Sequence, residues 1–175
     1  MKIAILGYSG AGKSTLAREL AEHYGVPVLH LDAVHHLPGW QERERADEIK
    51  IVGDFLDENS EGGWVIDGTY KKVLLDRRLD EADLVILMLY GRLTCFFRAY
   101  SRYRKYKGKI RPDSAEGCEE KFDRTFIKWL LIDGRAKRRR KIFDEIRNTH
   151  KAKVRTVKSQ RATDKLVKEL TSLPL

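Results

Sequence analysis

The stretch Gly7-Tyr8-Ser9-Gly10-Ala11-Gly12-Lys13-Ser14 decides how this chain is read. It fits G-x-x-x-x-G-K-[ST] in full, and each residue type in that pattern has a physical task. Glycines let the backbone turn back on itself with its N–H groups facing inward, which makes a concave nest for anions. A helix starting there adds unpaired N–H groups and the positive end of its dipole. Lys13 supplies a mobile point charge for the β and γ phosphates, and the Ser14 hydroxyl is a hard oxygen ligand suited to Mg²⁺. The stretch therefore points to a nucleoside triphosphate with Mg²⁺, ATP or GTP as far as the loop itself reads it, held by Gly7, Ser9, Gly10, Ala11, Gly12, Lys13, Ser14 and Thr15. A chance glycine turn is the alternative.

The flanks agree with that reading. Lys2-Ile3-Ala4-Ile5-Leu6 is a continuous apolar run, as in a strand buried on both faces. Leu16, Ala17, Leu20, Ala21 and Tyr24 recur at helical spacing, and Gly25 and Pro27 close that helix. Further along, the patterning predicts strands at 26–31, 64–66, 84–89 and 154–157. Helices are predicted at 41–59, 73–82, 92–106, 119–148 (with Gly134 as a kink or joint) and 164–170. A Gly- and Pro-containing loop at 108–117 is the candidate mobile element. Strands alternating with helices give right-handed crossovers, a parallel sheet and helices on both faces, that is, an α/β fold of three αβα layers. Ligands on such sheets bind beyond the C-terminal strand ends.

A length of 175 residues suits one domain, with a lid subregion at about 105–120. With 42% hydrophobic and 35% charged residues, three Trp and two Cys, the chain reads as soluble and globular, and disordered, collagen-like and disulfide-rich classes are excluded. No apolar run reaches the ~18 residues of a membrane span. Met1 runs straight into the glycine loop, so no cleavable leader is expected, and the setting is expected to be cytoplasmic with Cys95 and Cys118 as thiols. The net charge is +9, and residues 92–141 hold 17 Lys or Arg against 6 Asp or Glu. The basic excess thus belongs to one region, whose partner is a polyanion, either nucleic acid or nucleotide phosphates, unless it is a solvated surface.

Mg²⁺ chemistry calls for a carboxylate beside the loop. Asp83 precedes its strand and sits at the wrong edge. Asp67 and Asp32 both follow strands at the correct edge. Asp67, followed by Gly68, is the first choice for acting on Mg²⁺ directly or through water. Asp32 is the second, near the metal or hydrogen-bonded to an acceptor. Each of them alternatively caps a turn.

The chain resembles small P-loop kinases of the adenylate-kinase type and, more narrowly, the bacterial DNA topology modulation protein family. The segments that carry the likeness are 7–15, Leu31-Asp32, Pro38-Gly39-Trp40, Gly63 to Tyr70, Ala82 to Leu87, Arg98 to Arg102, Arg111-Pro112-Asp113, Glu116-Gly117-Cys118 and Phe126 to Trp129. The resemblance implies a P-loop NTPase fold with a five-stranded sheet in the order 2-3-1-4-5 and a flexible lid. It also implies Arg98 near the adenine, Arg102 near the phosphates, and an effect on DNA topology. Departures are visible. Thr69-Tyr70-Lys71 stands where adenylate kinases have Phe-Pro-Arg, their Thr-Gly-Asp motif is missing, and the lid lacks four cysteines. Donor-site chemistry is carried over; AMP as acceptor and a structural zinc are not.

Phosphoryl transfer needs positive charge over the moving group and exclusion of water. Arg102, Arg111 and Arg138 are the expected phosphate contacts, with a solvated helix face as the alternative for each. The 135–141 cluster is too dense for one phosphate chain, so the rest is a solvated face or contacts a nucleic-acid backbone. Tyr100 and Tyr103 stack on a base or pack under the lid, and His35-His36 belong to an acceptor pocket or a loop. The expectation is a Mg²⁺-ATP-dependent, kinase-like phosphotransferase acting on a nucleotide or small metabolite, with Lys13, Asp67, Arg102, Arg111 and Arg138 catalytic and Asp32 and Gly68 at the substrate. Asp32 is the base if the acceptor is a hydroxyl. The alternative is an ATP-gated DNA-binding module without small-molecule turnover.

Overall fold

The computed structural model describes residues 1–110 and 114–172, so Arg111 lies outside the described residues. Alternation of side chains along a single buried strand explains the three layers. In β1 (Lys2–Gly7), Ile3 and Ile5 face one apolar cluster, while Ala4 and Leu6 face another. On the first side lie α1 (Lys13–Tyr24), α5 (Arg92–Tyr106), α6 (Arg124–Leu131) and α8 (Gln160–Thr171), through Leu16, Leu20, Cys95, Ala99, Leu130 and Leu166. On the second side lie α3 (Arg45–Glu58), α4 (Leu75–Glu81) and α7 (Lys137–Thr149), through Val52, Leu56, Leu75, Leu79, Phe143 and Ile146. A strand that must satisfy both faces can hold almost no polar residue, hence its unbroken apolar run.

The remaining sheet strands are β2 (Val28–His30), β5 (Trp64–Asp67), β6 (Leu84–Met88) and β7 (Val154–Val157), all parallel. Their order is β2-β5-β1-β6-β7, which is 2-3-1-4-5 when only the strands of this sheet are counted. The C-terminal ends of β1, β2 and β5 therefore meet at one edge, where Gly7, His30 and Asp67 lie.

Three expectations are corrected. Helix 41–59 starts only at Arg45, because Gln41–Glu42 (β4) pairs antiparallel with His36–Leu37 (β3) after the short helix α2 (Leu31–His35). The helical span expected from 119 starts only at Arg124, and the kink or joint expected at Gly134 is a joint, a 3-10 turn at Asp133–Arg135 between two helices. Gly134 fits there because a Cβ would lie 2.7 Å from the Trp129 carbonyl oxygen. The last helix begins earlier than expected, since the Ser159 hydroxyl caps it by accepting from Ala162 N–H. No helix among the described residues is long and apolar enough to cross a membrane. Cys95 and Cys118 are both buried and unpaired with each other.

Candidate active site

The phosphate loop joins β1 to α1, and its glycines adopt backbone angles that side chains resist. Gly7, Gly10 and Gly12 have φ of 144°, 76° and 97°. A Cβ on Gly10 would meet the Cys95 carbonyl oxygen at 2.5 Å, so α5 closes directly on the loop. Ala11 N–H donates to Tyr8 O, and Lys13 Nζ donates to the same carbonyl at 3.3 Å, which places the ammonium across the loop. The Cys95 thiol is buried and donates to Tyr90 O, and burial pushes it above its ordinary pKa.

Ser14 and Asp67 are brought together. The Ser14 hydroxyl donates to Asp67 Oδ2 at 2.9 Å, and Asp67 is only 4% exposed. A hydroxyl and a carboxylate at the loop mouth suit Mg²⁺, which is usually held by one or two carboxylates together with substrate phosphates and water. No group of three or more His, Cys, Asp or Glu among the described residues could hold a metal by itself. Asp83 lies at the opposite edge, where Oδ2 accepts Lys2 N–H at 2.7 Å.

The segment after β5 forms the second wall. Gly68 N–H donates to Ile5 O, and Thr69 Oγ1 both accepts from Gly7 N–H and donates to Gly7 O. Gly68, at φ 133°, has no room for a Cβ, which would lie 2.7 Å from the Leu31 Cβ. Arg78, fully buried, donates to the carbonyls of Gly68, Tyr70 and Val73 and so braces this turn from beneath; burial pushes its pKa down to about 10. The Tyr70 hydroxyl donates to Asp32 Oδ1 at 2.7 Å. The His35 ring lies 4.8 Å from the Tyr70 ring, and His35 Nδ1 is 2.5 Å from Glu48 Oε1. Arg45 pairs with the second oxygen of that buried carboxylate. Asp32, Tyr70, His35 and His36 thus share one wall, with His36 Nδ1 donating to Asp32 O.

The basic region divides. Arg98 reaches over Gly12, with Nη1 donating to Gln160 Oε1 and the guanidinium 5.2 Å from the Tyr90 ring. A cavity of about 360 Å³ opens beside it, lined by Gly12, Thr15, Met88, Arg98, Gln160 and Thr163 among others. Arg102 Nε donates to Glu120, whose side chain is 2% exposed. Arg138 is exposed on α7, whereas Arg135 and Arg139 pack toward the loop. Arg135 lies 4.0 Å from the Tyr8 ring centroid and donates to Tyr90 O and Leu130 O. Arg139 lies 4.1 Å over the Trp129 ring, and Trp129 Nε1 donates to Ser9 Oγ. Tyr100 and Tyr103 pack their rings on Phe122.

Residues 114–121 lie against the β3–β4 hairpin. Gly39 N–H donates to Gly117 O, Trp40 Nε1 donates to Glu119 O, and the Cys118 thiol donates to Leu37 O. Sequence reasoning gave no role to His30, Thr69, Arg78, Glu120 and Trp129, and of the two arginines behind the loop it chose Arg138 over Arg135. Only His30 carried a local signal, as a polar residue ending a strand two positions before Asp32.

A family model described as an AAA domain matches residues 3–113. Three solved structures are similar to the chain. An uncharacterized protein from Eubacterium ventriosum has 18% identity and a TM-score of 0.50, covering 99% of this chain and 100% of its own. Shikimate kinase from Acinetobacter baumannii, in complex with shikimate, has 19% identity and a TM-score of 0.57, covering 97% and 89%. Deoxyadenosine kinase from M. mycoides, with bound dATP, has 16% identity and a TM-score of 0.56, covering 98% and 100%. At these identities the likeness shows the fold. No curated protein matches the chain.

Proposed function

This chain belongs to the AAA domain family, and from that premise we propose that it is a Mg²⁺- and ATP-dependent phosphotransferase acting on a nucleotide or small-metabolite acceptor. One observation carries the reading: the Ser14 hydroxyl and the buried Asp67 carboxylate meet at the mouth of a glycine loop that Lys13 spans. The kinase-like fold of shikimate kinase and deoxyadenosine kinase supports it.

In this reading the loop N–H groups and the start of α1 cradle the β and γ phosphates. Lys13 leaves Tyr8 O and pairs with phosphate oxygens. Ser14 and Asp67 would hold Mg²⁺, which would supply charge neutralisation at the phosphates. The nucleobase occupies the cavity at Arg98 and Gln160. Arg102, just before a lid at about 105–120, Arg111 within that span of sequence, and the α7 arginines, with Arg138 among them, supply positive charge over the moving group and exclude water. Asp32 and Gly68 face the acceptor. With a hydroxyl acceptor, Asp32 takes the proton as the new O–P bond forms and ADP leaves; with a phosphate acceptor no base is needed. A cytoplasmic setting completes the reading.

Calorimetry with MgATP, followed by an ADP-release screen against nucleosides, monophosphates and small metabolites, tests the proposal. Wild type binds and turns over, while Lys13→Ala loses turnover; full turnover in Lys13→Ala refutes the scheme. A second reading is an ATP-gated contact with nucleic acid, in line with the topology-modulation resemblance. It is favoured by Lys137, Arg138, Arg140 and Lys141, which are all exposed on α7. DNA affinity that falls steeply with salt, in a protein that binds ATP without turning over any acceptor, selects that reading.

A further inference from the structure

The Asp67 carboxylate is gripped from two sides, and only one grip belongs to the phosphate loop. Oδ2 accepts from the Ser14 hydroxyl at 2.9 Å, and Oδ1 lies 2.5 Å from His30 Nδ1. His30 and Asp67 are register partners at the ends of adjacent parallel strands, with side chains 11% and 5% exposed. Against a carboxylate oxygen the imidazole Nδ1 is the donor. The terminal torsion of an aspartate is broad and roughly two-fold, so a single hydrogen bond leaves the carboxylate plane free to turn. Two bonds from opposite sides fix it.

We infer that His30 is a positioning residue for the cation site: its Nδ1–H pins Asp67 Oδ1 so that Oδ2, beside the Ser14 hydroxyl, is the oxygen presented to Mg²⁺. The inference rests on the nucleotide reading above. His30 touches neither nucleotide nor metal in this arrangement. It acts through the orientation of Asp67, and the backbone pairing of β2 with β5 sets its own place. Removing such an outer partner typically weakens metal binding by ~10–100-fold.

The test uses ADP, whose binding is measured without turnover. Calorimetric titrations of ADP, with and without Mg²⁺, compare wild type with His30→Leu and His30→Asn. The Asn amide nitrogen stands as many bonds from the backbone as Nδ1 and can donate to the same oxygen, whereas Leu fills space and donates nothing. In His30→Leu the Mg²⁺ concentration that half-maximally tightens ADP binding rises ~10–100-fold, with metal-free ADP affinity unchanged. In His30→Asn it stays close to wild type. Equal Mg²⁺ requirements in wild type and His30→Leu overturn the inference, as does a loss in His30→Leu that is no greater with Mg²⁺ than without it. Wild type that binds no nucleotide at all instead overturns the proposed function, so the two failures are separable.

Discussion

Arg102 Nε donates to Glu120 Oε1 across 2.7 Å, and the carboxylate it meets is almost completely buried. The pair joins the end of α5 to the segment that docks on the β3–β4 hairpin through Gly117, Cys118 and Glu119. An arginine fixed at its Nε is aimed rather than swinging, which is what a phosphate contact needs. Arg102→Met strands part of a buried carboxylate, so it costs about 1–3 kcal/mol of stability. At ~2–4 °C per kcal/mol for a chain of this size, melting falls by ~2–12 °C. If Arg102 also meets phosphate, the same variant lowers kcat by ~10²-fold or more with MgATP affinity little changed. Loss of stability with kcat intact would make the pair purely structural.

Two of the loop glycines, Gly10 and Gly12, do not tolerate alanine equally. At Gly10 a Cβ would press on the Cys95 backbone carbonyl at 2.5 Å, and backbone cannot move aside. At Gly12 it would meet Arg98 Nη2 at 2.6 Å, the far end of a flexible side chain. Both positions have positive φ, which costs about 1–3 kcal/mol for a non-glycine residue. Gly10→Ala is therefore the more damaging change, lowering the melting temperature and MgATP affinity together. Gly12→Ala shifts Arg98 and chiefly disturbs the cavity beside it. Differential scanning fluorimetry with and without MgATP ranks the two, and Gly12→Ala as the worse variant would overturn this account.

Local features of the chain were legible from sequence, and register-dependent ones were not. The loop and β1 are written in consecutive residues, so glycine chemistry and an unbroken apolar run expose them without tertiary knowledge. His36-Leu37 and Gln41-Glu42 are two-residue strands, too short for any period, and so Gln41 and Glu42 fall inside the helix that the sequence predicts at 41–59. The break at Asp133-Gly134-Arg135 is signalled by its glycine, which leaves a kink and a joint as alternatives that only the structure separates. His30 acquires its partner only when β2 is paired with β5 in the observed register, and Thr69 reaches Gly7 across 62 residues of chain. Arg135 and Arg138 are equivalent as sequence; only the helical phase of α7 and the turn before it separates the buried from the exposed one.

Asp32 separates the two acceptor classes. A base that takes a hydroxyl proton contributes ~10²–10⁴-fold, whereas a phosphate acceptor is already ionised and needs none. Asp32→Asn keeps a similar shape and can still accept from Tyr70. With hydroxyl acceptors it lowers ADP release by ~10²-fold or more at unchanged MgATP affinity. With monophosphate acceptors the rate is unchanged. Running the nucleoside and monophosphate panels on both proteins identifies which class the wall of Asp32, Tyr70 and His35 serves.

Tyr70 makes that wall sensitive to alkali. Burial first, then the negative charges of Asp32, Glu48 and Asp67, push its phenol far above the ordinary value of 10.0. Below pH 10 the folded and unfolded chains both hold this proton, and the contribution to stability is complete. Above pH 10 the unfolded chain releases it and the folded chain does not. Stability then falls with rising pH, by up to ~1.4 kcal/mol per pH unit from this one group. Tyr70→Phe removes the titration. At neutral pH the variant is less stable by about 1 kcal/mol, because the hydrogen bond to Asp32 is gone. Between pH 10 and 12 its stability declines less steeply than that of wild type, so the gap closes and then reverses. Urea unfolding of both proteins across that range measures the two slopes, and parallel curves would mean that the phenol ionises in the fold as readily as in the open chain.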